Sequence, residues 1–458
     1  MFRKTVCIIA MCLGIFVTML DTTIMNIALP SIRLSLDTNL NNLSWALNAY
    51  TITFAALTIP FGKLANIYGK KLFYLIALLL FLVGSVVSGI STTLFLLVLG
   101  RIIQSLGAAI LFPLSMDLAI STQPNDWKGK AALFVGITQG GASATGPVFG
   151  GIITQYLGWR YIFLINIPIV VISFFLSLYA LPKNIEKEQT KVDWLGTILA
   201  VVSLSIGTLL IIESRIWKFT LPTILCLFLF ILSSVLFLIL EKKTSDPIIN
   251  FNLFKNRNFN LATMGTIFGQ FFLVGFMVIM PTFLTNMFNK SELSAALLVT
   301  PATIMIFLIS PFAGKAVKRI NPVALLSVGF IIMSIGYLLL GMVKQVPLNY
   351  VVYISGSMLI GVGYGLIVGP VSLLSTRNLT GSLLTASQSV IGVLRQLGTV
   401  LAVSIFISCL SANLNKARTS VDYIHSFTKL FIYASPVIFL TGICLFFYLK
   451  SKEIRNEK

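Results

Sequence analysis

Long apolar runs separated by short polar segments dominate the pattern along the chain. A helix that crosses a bilayer needs about 20 mostly apolar residues, and such a helix satisfies its own backbone hydrogen bonds in lipid. The runs are too long for barrel strands, so the pattern predicts an all-α integral membrane protein with fourteen transmembrane helices. The predicted spans cover residues 5–29, 44–64, 72–91, 94–120, 131–156, 160–181, 193–214, 219–240, 260–286, 294–314, 323–343, 348–375, 385–411 and 426–449.

Composition supports this interpretation, since 57% of the 458 residues are hydrophobic and only 10% are charged. The longest polar stretches, residues 182–192 and 241–258, are too short to hold a nucleotide-binding or catalytic domain. The net charge of +19 comes from short basic clusters between apolar runs, which argues against binding of nucleic acid. Any energy source must therefore act within the membrane part.

Lysine and arginine define the expected orientation, because these residues concentrate in cytosolic loops. With the N-terminus inside, the cytosolic segments hold 22 of the 33 basic residues and the outer loops hold 9. The distribution predicts a multi-pass protein with both termini in the cytosol. The first apolar run resembles a signal peptide, but no cleavage site follows, and we expect an uncleaved first span.

A weak internal repeat suggests how the spans are grouped. The sequence Gly-Lys-Leu-Ala at 62–65 follows span 2, and Gly-Lys-Ala-Val at 314–317 follows span 10, each in a predicted basic cytosolic loop. Spans 1–6 then correspond to spans 9–14, an arrangement that places a transport site at the midplane between the halves. Chance is the alternative, since Gly-Lys is common in such loops. The predicted divisions are a six-helix bundle at 1–181, a linker with two inserted helices at 182–258, and a second six-helix bundle at 259–458.

Asp21 lies inside span 1, where a carboxylate costs about 2.5–3.5 kcal/mol on insertion scales and should face a cavity with a partner. Arg101 in span 4 is the expected partner, because both residues lie about 10–14 Å from the outer boundary at 1.5 Å per residue. Burial disfavours the charged carboxylate and a nearby arginine favours it, so small movements can switch its protonation. The two interpretations are a proton site and a fixed structural ion pair.

Span 13 contains a second intramembrane cation, Arg395, for which the second half offers no evident acidic partner. It either holds backbone carbonyls between helices or meets an anionic part of a substrate. Span 5 is rich in glycine between Gly136 and Gly151, and small residues of this kind allow close helix packing.

Four segments form a recognisable set of motifs: Leu20 to Pro30, the loop Gly62 to Lys71, Arg101 to Gly107, and Gly146-Pro147-x-x-Gly150-Gly151. Together they resemble the fourteen-span drug:proton antiporters of the major facilitator superfamily, the EmrB/QacA type, which implies a protein of the bacterial cytoplasmic membrane. The resemblance extends from span 1 to span 13, and the segments 158–168, 193–196 and 247–254 are similar to the family's sequence there.

The resemblance implies a major facilitator fold in which Asp21 takes part in proton coupling and Arg101 supports it. It further implies that the small residues of span 5 shape a contact between the halves that blocks leakage, and that the basic loop is a cytosolic latch. Pairing of Lys70 with Asp117 would bias the inward-closed state, although an ordinary interfacial acid is the alternative for Asp117. The gating candidates are Gly62, Gly69, Lys70, Asp117, Gly146, Pro147, Gly150 and Gly151.

Three features depart from the family pattern. Asn66 replaces the usual aspartate and Ile67 a common basic residue, which removes charge from the latch. Ala142 stands where a glycine is expected. Spans 9–14 contain no buried acid, and this favours monocationic, neutral or acidic substrates over dications.

The expected function is export of amphiphilic drugs or toxic compounds by alternating access, driven by the proton gradient and without another cofactor. An importer or exporter of a metabolite, lipid or siderophore is the alternative. The sequence lacks the phosphate-binding motif G-x-x-x-x-G-K-[ST], so an ATP-driven pump is not expected. The single histidine, His425, lies in a predicted outer loop without other metal-ligating or nucleophilic residues, so an enzyme is not expected either. A membrane sensor with the same fold is a further alternative, and the sequence does not show whether transport needs an accessory envelope protein. Candidate substrate-binding residues are Asn26, Tyr50, Gln104, Gln139, Gln270 and Arg395.

Overall fold

The computed structural model describes residues 2–182, 193–217, 220–244, 247, 251–288, 290–317, 319–343, 349–377, 382–414 and 420–456. All regular structure in these residues is helical, and the chain forms two compact units, Met1–Ile249 and Asn250–Lys458. The first unit contains α1 (Phe2–Ser35), α2 (Leu40–Tyr68), α3 (Lys70–Gly89), α4 (Leu94–Ser121), α5 (Asn125–Tyr156), α6 (Tyr161–Leu164), α7 (Asn166–Ala180), α8 (Trp194–Trp217) and α9 (Leu221–Lys243). The second contains a 3-10 turn (Phe251–Lys255), α10 (Arg257–Phe288), α11 (Glu292–Ala316), α12 (Pro322–Gly341), α13 (Tyr350–Thr376), α14 (Ser382–Leu414) and α15 (Ser420–Asn456).

Twelve helical segments among the described residues are long and apolar enough to cross a membrane, with α6 and α7 counting as one. The other two predicted spans coincide with the long helices α2 and α5, which are not among the twelve. Polar residues in α2 and glycines in α5 reduce their apolar character. Passage of all fourteen helices through the bilayer stays a prediction, as does the division at 182–258, of which residues 183–192 lie outside the described chain.

Two segments predicted as loops are helical. Helix α2 continues through the Gly-Lys-Leu-Ala motif to Tyr68, and the equivalent motif after span 10 begins in the last turn of α11. Lysine, leucine and alanine favour helix, so only a residue that tolerates an unusual backbone ends α2. Gly69 does so with φ 115°, and α3 begins at the next residue. His425 likewise lies in α15 rather than in a loop.

Span 6 is interrupted at Ile165, which separates the short α6 from α7. Pro168 has no backbone N–H to donate to the carbonyl of Leu164, and proline is well tolerated in the first turn of a new helix. The break makes Asn166 the first residue of α7, and this residue is fully buried.

Glycines bring α3 and α4 close together in the first unit. A Cβ on Gly84 would lie 2.2 Å from the backbone nitrogen of Gln104, and one on Gly107 would lie 2.6 Å from that of Phe81. Because neither backbone can give way, only glycine fits at these crossings. The approach fixes the height at which α4 presents Arg101 and Gln104.

In the second unit, glycines likewise allow α12 and α13 to pack closely, and Gly336 faces the carbonyl of Gly356. Helices α10 and α14 also approach closely, since a Cβ on Gly398 would lie 2.7 Å from the carbonyl oxygen of Ile267 and 3.1 Å from Gln270 Cβ. This crossing places polar residues of α10 and α14 beside each other.

Candidate functional site

Asp21 forms a fully buried ion pair with Arg101 in the first unit. The Arg101 Nη1 atom lies 2.6 Å from Asp21 Oδ2, and the side chains are 1% and 0% exposed. The pair connects α1 with α4 across 80 residues of sequence. A buried pair of this kind is costly to desolvate, so its remaining polar atoms must find partners.

Amide side chains surround the second carboxylate oxygen of Asp21. Gln104 Nε2 donates to Oδ1 at 2.8 Å, and Asn166 Nδ2 donates to the same oxygen at 3.2 Å. Both amides also reach Ser85 Oγ, at 2.9 and 3.4 Å. Helices α1, α4 and α7 therefore meet at one carboxylate, and Ser85 of α3 contacts both amides that bind it.

Arg101 is held by further contacts on its other side. It donates through Nη1 to Gln104 Oε1 at 2.7 Å and through Nε to the carbonyl of Ala46 at 3.4 Å. The guanidinium lies 4.0 Å from the ring centre of Tyr50 and 5.6 Å from that of Phe163, which adds cation–π attraction. The Tyr50 hydroxyl is buried, and none of the described residues forms a hydrogen bond with it.

We call Asp21, Arg101, Gln104, Asn166 and Ser85 the carboxylate network. Its cation and amide donors give a fully buried carboxylate the partners that burial requires. Every member lies in a helix of the first unit, so the network joins helices that are far apart in the sequence.

Two of the predicted substrate-binding residues are part of this network or cover it. Gln104 uses its amide group within the network, and Tyr50 is 2% exposed beneath Arg101. Asn26 is half-buried on α1, five residues beyond Asp21. Gln139 donates to Met116 Sδ at 3.3 Å.

The small residues of α5 pack on α1 next to Asp21. A Cβ on Gly146 would lie 1.9 Å from Thr23 Oγ1, and one on Gly150 would lie 3.0 Å from Ile24 Cγ1. Pro147 lies inside α5 and is buried, as is Gly151. Within the first unit, these residues therefore set the distance between α5 and the helix that carries Asp21.

Lys70 and Asp117 form an ion pair of 2.7 Å, with side chains 17% and 44% exposed. Such an exposed pair contributes little to stability, about 0–1 kcal/mol, and salt screens it. In the described part of the chain, no atom lies within 4 Å of a Cβ built on Gly62. Close packing therefore does not require a glycine at this position.

In the second unit, the amide of Gln270 connects three helices. The Tyr364 hydroxyl donates to Gln270 Oε1 at 2.6 Å, and Gln270 Nε2 donates to Thr399 Oγ1 at 3.3 Å. Arg395 lies one helical turn before Thr399 on α14, and Thr399 Oγ1 donates to its carbonyl at 3.2 Å. We call Gln270, Tyr364, Thr399 and Arg395 the amide cluster; all four side chains are half-buried.

The family model of the Major Facilitator Superfamily matches residues 11–403 of this chain, which include the carboxylate network and the amide cluster. The chain belongs to the major facilitator superfamily. It is thus a multi-pass membrane protein of a transporter family.

Among relatives in the major facilitator superfamily, riboflavin transporter RibZ of Clostridioides difficile (strain 630) is 29% identical over 99% of each chain. Multidrug resistance protein 3 of Bacillus subtilis (strain 168) is 30% identical over 87% of this chain and 78% of that protein. A solved structure of a bacterial homologue of the human lysosomal transporter Spinster, inward-facing and occupied, has a TM-score of 0.70. It covers 97% of this chain and 96% of its own at 14% identity, which supports the fold alone.

Sequence reasoning missed Asn166 and Ser85 in the first unit, and Tyr364 and Thr399 in the second. A signal existed for Asn166, which interrupts an apolar run two residues before Pro168. Serine and threonine in apolar helices give no comparable signal, because they commonly bond the preceding turn of their own helix.

Proposed function

We propose that this chain is a fourteen-span antiporter that exports amphiphilic compounds in exchange for protons. The observation that carries the proposal is the carboxylate network, a buried acid with one cationic partner and several amide donors inside membrane-spanning helices. Ionisable residues within such helices are functional by default, and proton relays are among the roles that they serve. The multidrug resistance relative supports the drug-like substrate class.

Protonation of Asp21 would remove the charge that holds Arg101, and the contacts among α1, α4 and α7 would rearrange. A ligand shifts two states only through a difference in its affinity for them. Substrate and proton must therefore favour opposite states of these helices, and Asp21 is the group through which the proton does so. Outside protons load Asp21, and its deprotonation to the inside accompanies substrate capture.

The substrate contacts in this proposal are the half-buried Asn26, Gln139, Gln270 and Arg395, while Gln104 and Tyr50 hold the proton site. The Lys70–Asp117 pair and the small residues of α5 act in gating. Both termini face the cytosol, as the distribution of basic residues predicts.

A dedicated metabolite transporter is the second candidate. The protein named riboflavin transporter RibZ matches this chain end to end, with 99% of each covered. A vitamin would then be the substrate, and the amide cluster offers hydrogen bonds suited to its carbonyl groups.

The test is transport by purified protein in proteoliposomes with an imposed pH gradient. Lipophilic cations, weak acids and riboflavin are offered to the wild type and to Asp21→Asn. We expect gradient-driven substrate movement with proton release in the wild type, and loss of both, by at least tenfold, in the variant. Asp37→Asn is the matched control, because Asp37 is an exposed acid at φ 44°, a conformation that asparagine also tolerates.

Substrate movement that persists in Asp21→Asn, or that does not depend on the pH gradient, would indicate a structural ion pair and refute proton antiport. Riboflavin movement without movement of the lipophilic cations and weak acids would favour the metabolite transporter. Loss of transport in both aspartate variants would indicate damage to folding, and size-exclusion profiles of the purified variants separate that case.

A further inference from the structure

The four side chains of the amide cluster lie at one depth in the second unit. Gln270 is 13 residues after the first residue of α10, and Arg395 is 13 residues after the first residue of α14. At 1.5 Å per residue, each lies about 20 Å from the start of its helix. Tyr364 is 14 residues into α13, close to its middle. The cluster therefore lies deep within the membrane-spanning part of the unit.

All four members are only half-buried, unlike the closed carboxylate network. A polar side chain at this depth faces lipid, protein or a water-filled space, and lipid is the costly choice. Their partial exposure, on three helices that meet at Gln270, thus indicates a surface that water reaches.

Arg395 carries a positive charge that no acid in the spans of this unit balances. Within the described residues, no hydrogen bond or ion pair of its guanidinium is formed. From residue 259 onwards the sequence has four acidic residues: Glu292, Asp422, Glu453 and Glu457. Glu292 is the first residue of α11, and Asp422 and Glu453 lie in the first and last turns of α15. The amide cluster is consequently electropositive.

We infer that the amide cluster is a substrate-binding site for uncharged or anionic compounds that present a carboxylate or carbonyl group. The guanidinium of Arg395 binds the oxygen atoms of such a group, since its planar N–H donors match a carboxylate. Tyr364 and Thr399 orient the amide of Gln270, which offers one further donor and acceptor edge. The uncompensated charge of Arg395 repels cations, so lipophilic cations are poor ligands here. This inference rests on the proposed transport function, because it names the substrate class.

The first experiment measures accessibility and charge without a known ligand. Thr399→Cys is introduced into a variant whose five native cysteines are replaced by serine. It is treated with methanethiosulfonates that carry either a sulfonate or a trimethylammonium group. We expect the sulfonate reagent to be favoured, and the ratio of the two rates to fall about tenfold when Arg395→Gln is added. Arg377→Gln, which removes an exposed cation outside the cluster, leaves the ratio unchanged.

A cysteine at position 399 that neither reagent modifies, or a ratio that Arg395→Gln does not change, would overturn the inference. The second experiment measures equilibrium binding in nanodiscs, without a pH gradient, of two dyes that share a xanthene core: the anion fluorescein and the cation rhodamine 6G. Stronger binding of fluorescein, weakened about tenfold by Arg395→Gln and partly restored by Arg395→Lys, is the expected result. Equal or stronger binding of rhodamine 6G would refute it.

These results are independent of proton coupling. Asp21→Asn should retain the fluorescein affinity even though it loses gradient-driven transport. If Asp21→Asn still transports, the proposed antiport fails while the charge preference of the amide cluster can still hold. If Arg395→Gln leaves binding unchanged and Asp21→Asn abolishes transport, the charge preference of the amide cluster fails while the proposed antiport can still hold.

Discussion

Asn166 connects the break in span 6 to the acid in span 1, and its contribution can be measured. Its amide donates to Asp21, so replacing it with leucine removes a hydrogen bond that stabilises the charged carboxylate. Oδ1 of Asp21 then keeps one amide donor instead of two. We predict that Asn166→Leu has a lower Tm in detergent and slower gradient-driven transport, because a hydrogen bond to a charged group contributes about 1.5–3 kcal/mol.

Asn260→Leu is the control for this change, because Asn260 is an exposed amide that donates to the carbonyl of Phe254 in the second unit. Its Tm and its transport rate should match those of the wild type. No loss in Asn166→Leu, or equal losses in both variants, would show that Asn166 does not support the acid.

Sequence alone can identify Asp21 and Arg101 because ionisable residues are rare in apolar runs. Their contact across 80 residues follows from equal depth in neighbouring helices. The sequence cannot identify Ser85 or Tyr364 as members of a site, since hydroxyl side chains cost little free energy in a span and need no distant partner. Partners of that kind depend on helix rotation, which the length of an apolar run does not determine.

Helix packing in the first unit depends on where glycine is required. Gly84→Ala would place a Cβ 2.2 Å from the backbone of Gln104, so α3 and α4 must separate and the carboxylate network must shift. We predict a loss of about 1–3 kcal/mol in stability, seen as a lower Tm in detergent, together with reduced transport.

Gly314→Ala is the matched control, because no atom of the described residues lies within 4 Å of a Cβ at that helical position. Alanine is the better helix former, and this variant should be neutral or slightly more stable. Equal Tm values for the two variants would show that the α3–α4 approach tolerates a side chain.

Helix positions follow well from apolar run length, but helix ends do not. The region around residues 62–71 was predicted as a loop because it is polar, yet its residues favour helix and continue α2 to Tyr68. Polarity marks where a chain leaves lipid, and a helix ends only where the backbone must turn, here at Gly69. The two events need not coincide.

The prediction of fourteen spans concerns the whole molecule, and it depends on whether α2 and α5 cross the bilayer. If both cross the bilayer, Thr38→Cys and Leu157→Cys react with an impermeant maleimide in intact cells. Tyr68→Cys and Ser121→Cys then react only after permeabilisation. The wild type, whose native cysteines lie in spans, gives the background labelling.

Labelling of both Thr38→Cys and Tyr68→Cys from the same side would show that α2 does not cross. The same outcome for Ser121→Cys and Leu157→Cys would show that α5 does not cross the bilayer. Either result alone would reverse the side assigned to every later loop, and the C-terminus would then lie outside.

The ion pair of Asp21 with Arg101 also affects how the protein is made. Its partners are 80 residues apart, so at about 5–20 residues per second Arg101 is synthesised some 4–16 seconds after Asp21. During that interval α1 holds an acid with no arginine beside it, and the apolar residues around Asp21 must supply its insertion energy. Asn166 is synthesised later still. The first helix therefore reaches its final surroundings only when the sixth predicted span has left the ribosome.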